Sequence, residues 1–184
     1  MTPLPPIRRL RDFLRRGGVI AYPTESCYGF GCDPRNAEAV ERILRLKGRP
    51  RVKGLILIGS DCRQFRAYLA PIPEETARRL PDWWPGPNTL LLQKGRRSPR
   101  WLTGRHEKMA VRVTAHPEAA RLCHFLDMAL VSTSANRSGH RALKTASECR
   151  RQFGARVLVL EGHIGKRDRP STILDPVNGG VVRV

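Results

Sequence analysis

Apolar runs of four or five residues recur along the 184-residue chain, and most are separated by segments in which apolar residues follow helical spacing. Short runs rich in valine, isoleucine and leucine are typical of strands that are buried in a sheet. The strand candidates are VIAY at 19–22, LILI at 55–58, TLLLQ at 89–93, AVRV at 110–113, ALVS at 129–132, VLVL at 157–160, STIL at 171–174 and VVRV at 181–184.

Helices are predicted between many of these runs, at 7–14, 37–44, 61–69, 73–80, 117–126 and 145–153. The first would stop at Gly17 and Gly18, and the second would be capped by Asn36 or Asp33. A few neighbouring strands have no helix between them, so both parallel and antiparallel pairs are expected. We therefore predict an α/β fold of one domain, residues 1–184, with a twisted mixed sheet flanked by helices.

The charge is strongly positive, with 34 Lys and Arg against 16 Asp and Glu, a formal net charge of +18. Such an excess favours nucleic acids, nucleotides or acidic membrane surfaces as partners. It is mostly arginine, however, which a GC-rich genome would also produce. A non-catalytic module that binds tRNA or rRNA is therefore one hypothesis for the function.

The five cysteines are scattered, with no C-x-x-C pair and no histidine at ligand spacing. This pattern predicts free thiols in a reducing compartment and no protein metal site. The N-terminal segment carries arginines but lacks the apolar core of a signal peptide, and no run is long enough to span a bilayer. A cytoplasmic protein is the expectation.

Two stretches could hold an anionic ligand or could be ordinary loops. YPTESCYGFGCDP at 22–34 places Thr24 and Glu25 at the exit of a strand, and it is either a binding loop or a long connection that needs glycine for its turns. RLKGRPRVKG at 45–54 has a cation at every second position. Only its early part is predicted to be helical; an extended remainder would direct cations toward an anion such as a triphosphate, unless it is a solvated basic loop.

Hydroxyl side chains follow another apolar run, in STSANRSG at 132–139. They could offer donors to phosphate or carboxylate oxygens, or could form a simple turn by bonding their own backbone. Arg112 and Arg183 each interrupt an apolar strand. A buried arginine needs an anion beside it, which can be a protein carboxylate or a ligand.

Seven motifs occur together in one order: GGVIAYPTESCYGFGCDP, KGRP followed by KGLILI, WPGPNTLLL, AVRVTAHP, LVSTSANRSG, PSTILD and VVRV. In this order they resemble the YrdC/TsaC family of threonylcarbamoyl-AMP synthases, from about Gly17 to the last residue. The signature pair K-x-R and S-x-N of that family corresponds to Lys47, Arg49, Ser134 and Asn136. The resemblance implies a YrdC-like domain with a concave basic cavity, of the short single-domain bacterial type.

The resemblance also implies the reaction: L-threonine, bicarbonate and ATP give L-threonylcarbamoyl-AMP and pyrophosphate. The product passes to partner proteins of the TsaB, TsaD and TsaE type, which make N6-threonylcarbamoyladenosine in tRNA. ATP is a substrate, and Mg²⁺ is expected to accompany it without a dedicated protein site. Affinity for tRNA could accompany the activity, and no membrane partner is expected.

The family's site positions carry over onto ten residues of this sequence. Lys47 and Arg49 correspond to the catalytic positions. The positions for ATP are Lys47, Arg49, Lys53, Ser134, Asn136 and Arg183. The positions for threonine are Thr24, Arg112, Ser132 and Ser171. Lys108 stands where the family commonly has threonine, so it is left out of the predicted site.

Overall fold

The structure is a computed structural model that describes residues 6–177 and 179–183, with Arg183 described by its backbone alone. The helices are α1 (Ile7–Arg15), α2 (Ala37–Lys47), α3 (Glu74–Trp83), α4 (Arg100–Thr103), α5 (Pro117–Leu126) and α6 (Ala146–Phe153). The strands are β1 (Ile20–Pro23), β2 (Tyr28–Cys32), β3 (Ile56–Gly59), β4 (Asn88–Gln93), β5 (Lys108–Val113), β6 (Leu130–Ser134), β7 (Leu158–Val159), β8 (Thr172–Asp175) and β9 (Gly180–Arg183).

The nine strands form one sheet in the order β7-β1-β2-β6-β3-β5-β4-β8-β9. Three of its pairings are parallel: β1 with β7, β3 with β5 and β4 with β8. The other pairings are antiparallel. The prediction of an α/β fold with a mixed sheet is therefore confirmed.

Alternate residues of the central strands enter two separate hydrophobic cores, one on each face of the sheet. Ile20 and Tyr22 of β1 pack with α1 and α5, whereas Ala21 packs in the core that contains α2 and α6. In β3, Ile58 lies on the α1 and α5 face and Leu57 on the opposite face. The continuous apolar runs of the sequence thus reflect strands covered on both sides.

Strand β2 lies inside the segment 22–34, where the sequence predicted a connection or a binding loop. It pairs antiparallel with β1 and is buried along its whole length. Glycine alternates in this strand because the strand packs closely: a Cβ at Gly31 would lie 2.8 Å from the Tyr22 ring. Two glycines in five residues hid the strand, since glycine is depleted in strands.

Two other local predictions were wrong, and one predicted strand is shorter than expected. The helix predicted at 61–69 is only a short 3-10 turn, Cys62–Phe65. The end of the 45–54 segment is a 3-10 turn at Arg51–Lys53 and not an extended chain. Arg51 also pairs with Glu41, their Nε and Oε2 atoms being 2.8 Å apart, so this cation points to α2. The strand predicted at 157–160 is only two residues long.

No helix in the part of the chain that the structure describes is long and apolar enough to cross a membrane. All five cysteines are free thiols, as their spacing predicted. The segment Ala37–Lys47 also begins as expected, because the Asn36 side chain accepts a hydrogen bond from the Ala39 backbone N–H at 2.9 Å.

Candidate active site

A cavity of about 970 Å³ lies over the middle of the sheet, on the face that carries α1 and α5. Its floor is a row of residues paired across four adjacent strands: Ser132 of β6, Ile56 of β3, Ala110 of β5 and Leu91 of β4. These side chains share a face because pairing places them side by side. The helices of this face pack beyond the row, against Ile58 and Leu130, so the row is open to a ligand.

Lys47, the last residue of α2, joins that helix to the turn after β6. Its residue is only 4% exposed. The Nζ atom lies 3.0 Å from Asn136 Oδ1, 3.1 Å from the Asn136 carbonyl oxygen and 2.5 Å from the Ser134 carbonyl oxygen. Ser134 Oγ in turn donates to Asn136 Oδ1 at 2.6 Å. Lys47 of the K-x-R motif and the S-x-N motif, far apart in sequence, therefore form one hydrogen-bonded unit.

The buried environment of Lys47 disfavours the charged form of its side chain. Burial, and secondly the nearby charge of Arg49, lower the pKa of Lys47 to about 8. An anion in the cavity would favour the charged form of the ammonium group and raise that pKa again. The structure therefore provides a cation whose charge is better stabilised when a polyphosphate is bound.

Arg49 and Lys53 stand on the loop that follows α2. The Arg49 guanidinium donates to the carbonyl oxygen of Gly54 at 3.0 Å from Nη2, which bends the loop back on itself. Lys53 is exposed, and both residues line the cavity. The loop thus adds two further cations to the cavity that Lys47 lines.

Three hydroxyl side chains and one guanidinium group also line the cavity. Thr24 Oγ1 donates to the Cys27 carbonyl oxygen at 2.7 Å. Ser132 Oγ accepts from the Tyr22 hydroxyl, and Ser171 Oγ accepts from Thr89 Oγ1, both at 2.8 Å. Each hydroxyl is therefore anchored on the protein side while it faces the cavity.

Arg112 is the guanidinium of this group, and it has a protein carboxylate behind it. Its Nη2 atom lies 3.1 Å from Glu25 Oε2, and the two side chains are 10% and 12% exposed. Thr114 Oγ1 donates to Glu25 Oε1 at 2.6 Å. Arg112 lines the cavity and Glu25 is not among its lining residues. Of the two partners that the sequence allowed for Arg112, the structure thus provides the carboxylate.

The cavity gathers nine of the ten residues predicted for the site. Those nine are Thr24, Lys47, Arg49, Lys53, Arg112, Ser132, Ser134, Asn136 and Ser171. The tenth is Arg183, whose backbone ends β9 but whose side chain lies outside the described residues.

The charged residues of the cavity lining are mostly cationic. Seven described residues supply positive charge: Lys47, Arg49, Lys53, Lys108, Arg112, Arg141 and Lys144. Two supply negative charge, Glu107 and Asp168. Lys108 is in addition paired with Asp175. A lining of this kind favours an anionic ligand.

Several residues around the cavity were not among the predicted site residues. Arg141, Lys144 and Asp168 line it but stand in segments without any regular pattern. Tyr22 and Glu25 support Ser132 and Arg112 from behind. Their position beside Thr24 in the motif YPTE marks them as neighbours of the predicted site. The motif does not indicate which side chains they contact.

A protein metal site is not seen among the described residues, where no three His, Cys, Asp or Glu side chains come together. The lining of the cavity is also poorly suited to hold a metal ion directly, because its two carboxylates are accompanied by seven cations. Mg²⁺ prefers oxygen ligands and usually keeps several waters. The residues of the cavity therefore fit a metal ion carried by a polyphosphate ligand better than one held by protein groups.

Comparison with known proteins places this chain and its fold in one family. The sequence model of the Sua5/YciO/YrdC family, described as "Telomere recombination", matches residues 12–184. The threonylcarbamoyl-AMP synthase of Methylobacillus flagellatus is 54% identical over 176 residues, which are 96% of this chain and 98% of that protein. The enzyme of the same name from Chromobacterium violaceum is 55% identical over 176 residues, 96% of this chain and 91% of that protein.

Solved structures give the same result. P. abyssi Sua5 complexed with L-threonine superposes with a TM-score of 0.83 at 34% identity, over 92% of this chain and 50% of that chain. The present chain thus spans about half the length of that Sua5. E. coli YciO superposes with a TM-score of 0.81 at 27% identity, over 96% of this chain and 87% of that chain. The chain therefore belongs to the Sua5/YciO/YrdC family, in which relatives at about 50% identity are threonylcarbamoyl-AMP synthases.

Proposed function

We propose that the chain is a threonylcarbamoyl-AMP synthase, which converts L-threonine, bicarbonate and ATP into L-threonylcarbamoyl-AMP and pyrophosphate. The relatives of that name and the Sua5 complex with L-threonine support this activity. The single observation that carries it is that one cavity is lined both by the cations Lys47, Arg49 and Lys53 and by Arg112 with the hydroxyls of Thr24, Ser132 and Ser171. The first suits a polyphosphate and the second suits an amino acid.

The chemistry requires no protein nucleophile. The threonine amine and bicarbonate give a carbamate and water, and a carbamate oxygen then attacks the α-phosphorus of ATP in line while pyrophosphate leaves. Catalysis of such a transfer consists mostly of positioning and of stabilising charge on the phosphate oxygens. Lys47 and Arg49 would serve these two purposes, and the buried setting of Lys47 strengthens its interaction with phosphate.

The nucleotide end of the cavity would be formed by Lys47, Arg49, Lys53, Ser134 and Asn136. Lys47 fixes the turn that holds Ser134 and Asn136, so the turn and the cations would act together on ATP. Arg183 would join them from β9. Mg²⁺ bound to the ATP phosphates would offset their negative charge.

The threonine end would be formed by Thr24, Arg112, Ser132 and Ser171. The planar fork of Arg112 suits the substrate carboxylate. Hydroxyl groups that bond the substrate hydroxyl would discriminate against valine, because a valine complex would leave buried polar groups unpaired. The apolar floor at Ile56 and Ala110 would exclude water beneath the reacting groups.

The cellular role follows from the product. Threonylcarbamoyl-AMP is a reactive mixed anhydride, and we propose that the protein passes it in the cytoplasm to TsaB, TsaD and TsaE type partners for modification of tRNA. We propose further that residues 1–184 form one functional domain. The net charge of +18 also favours direct affinity for tRNA. Such affinity would weaken steeply with added salt.

Release of pyrophosphate from ATP tests the activity. Pyrophosphate should form only when L-threonine and bicarbonate are both present, and an omission of either should stop it. Turnover that ignores both omissions would exclude the synthase activity. The Lys47→Ala and Arg49→Ala variants, checked for folding by circular dichroism, should each lose most of the threonine-dependent turnover.

A further inference from the structure

Two buried hydroxyl groups stand behind the serines of the threonine end. Tyr22 of β1 is 1% exposed and its hydroxyl donates to Ser132 Oγ at 2.8 Å. Thr89 of β4 is 0% exposed and its Oγ1 donates to Ser171 Oγ at 2.8 Å. Both serines line the cavity, and neither Tyr22 nor Thr89 does.

The direction of these two hydrogen bonds follows from what each hydroxyl can reach. Ser132 Oγ is the one acceptor that the described residues offer to the Tyr22 hydroxyl, and Ser171 Oγ is the one they offer to Thr89. A buried donor without an acceptor is costly, so Tyr22 and Thr89 must donate. Burial also raises the pKa of Tyr22, which keeps its hydroxyl protonated. The hydroxyl hydrogens of Ser132 and Ser171 are then available to donate to a ligand in the cavity.

Thr24, in contrast to the two serines, can only accept a hydrogen bond from a ligand. Its hydroxyl is bonded to the Cys27 carbonyl oxygen at 2.7 Å, and a carbonyl oxygen can only accept. The single hydrogen of Thr24 is therefore used within the protein, and its oxygen presents lone pairs to the cavity. The three hydroxyls of the threonine end thus divide into two donors and one acceptor.

We propose that Tyr22 and Thr89 are positioning residues for the reaction, which fix Ser132 and Ser171 as hydrogen-bond donors toward the amino-acid substrate. This inference rests on the proposed function. With Arg112, the two serines form a set of donors that suits carboxylate or carbamate oxygens. Thr24 is left to accept from an N–H or O–H group of the substrate. Neither Tyr22 nor Thr89 touches the substrate in this arrangement.

Isosteric variants remove the two hydroxyls without emptying the core. In Tyr22→Phe and Thr89→Val, calorimetric titration of the full-length protein should show L-threonine binding weakened by about twofold to tenfold, the worth of one hydrogen bond. The dissociation constant for a non-hydrolysable ATP analogue should not change. Tyr28→Phe is the matched control: this buried tyrosine donates to the Gly162 carbonyl oxygen, away from the two serines, and its loss should leave threonine binding unchanged.

A double-mutant cycle separates positioning from general damage. If Tyr22 acts through Ser132, then Ser132→Ala and the double variant Tyr22→Phe/Ser132→Ala should bind L-threonine equally well. Likewise, Ser171→Ala and the double variant Thr89→Val/Ser171→Ala should bind L-threonine equally well. If a Tyr22 variant fails to fold, this second cycle tests the inference by itself. Additive losses in the cycle, or unchanged threonine binding in the single Phe and Val variants, would overturn the inference. Wild-type protein that binds no L-threonine would instead count against the proposed function.

Discussion

The guanidinium of Arg112 lies 3.1 Å from the carboxylate of Glu25, and both side chains are nearly nine-tenths buried. The pair sits at the wall of the cavity, with Arg112 toward the ligand space and Glu25 behind it. Thr114 also donates to Glu25, so the carboxylate is held from two sides. The pair fixes the position of a cation that would otherwise be free to move in the open cavity.

Loss of the Glu25 charge should therefore destabilise the protein. Removal of one partner from a buried ion pair leaves the other charge without compensation, at a cost of roughly 3–5 kcal/mol. The Glu25→Gln variant should lose up to about that much free energy of unfolding in urea denaturation. Glu74→Gln is the control, because Glu74 and Arg78 form a pair on the surface, and it should leave stability nearly unchanged. Equal stability of the two variants would show that the buried pair contributes little.

The low pKa of Lys47 predicts a pH dependence of nucleotide binding. Burial and the charge of Arg49 lower this pKa to about 8, so Lys47 loses its proton as the pH rises through that value. We expect the KM for ATP to be constant below about pH 7 and to rise up to about tenfold by about pH 9, with less change in the KM for threonine. Lys47→Arg, if active, should flatten the profile because arginine stays protonated. A wild-type KM for ATP that does not change over this range would contradict the assignment.

Gly31 should tolerate no side chain. A Cβ added there would lie 2.8 Å from the Tyr22 ring and 3.3 Å from Ile20 and from the Val131 carbonyl oxygen. Overpacking of a core typically costs about 1–3 kcal/mol, so Gly31→Ala should lower the midpoint of thermal unfolding. Gly180→Ala is the comparison, since a Cβ at Gly180 meets nothing within 4 Å. A Gly31→Ala protein that melts with the wild type would refute the close packing of β1 and β2.

Arg112→Lys tests the threonine end. Lysine keeps the charge but loses the planar fork that binds a carboxylate through two hydrogen bonds. The KM for threonine should rise about tenfold or more, the loss of one charge-assisted hydrogen bond, while the KM for ATP changes little. Arg105→Lys, at an exposed position outside the cavity lining, should alter neither constant. An equal rise of both constants would argue against a role confined to the amino acid.

The sequence predicted most of the elements because their signals are local. The apolar runs identified eight of the nine strands, and Asn36 marked the start of α2. Strand β2 was missed because it contains glycines, which are rare in strands. Glycine is needed because the strand packs closely against Tyr22 of the neighbouring strand, and only the folded chain brings the two together. The prediction of an extended loop after Gly48 was wrong for a similar reason, because Arg51 forms an ion pair with Glu41 of α2.

Most of the residues named from the sequence line the candidate cavity, whereas the contacts between them could not be predicted. Nine of the ten predicted residues line one cavity, although Lys47 and Asn136 are 89 residues apart. Their hydrogen bonds, and those of Tyr22, Glu25 and Thr89, link segments that are distant in sequence. Pairing of this kind depends on the strand order of the sheet, in which β2 and β3 flank β6, and no local pattern encodes that order.

Detection of the product is the sharpest test of the synthase activity, because product forms only if all three substrates react in one place. The protein, incubated with ATP, L-threonine and ¹³C-bicarbonate, should form threonylcarbamoyl-AMP that carries the label, seen by mass spectrometry as a shift of about one mass unit. The Lys47→Ala and Arg49→Ala proteins should form little of it. Labelled threonylcarbamoyl-AMP would support the synthase activity; AMP and pyrophosphate formed without any labelled product would contradict it.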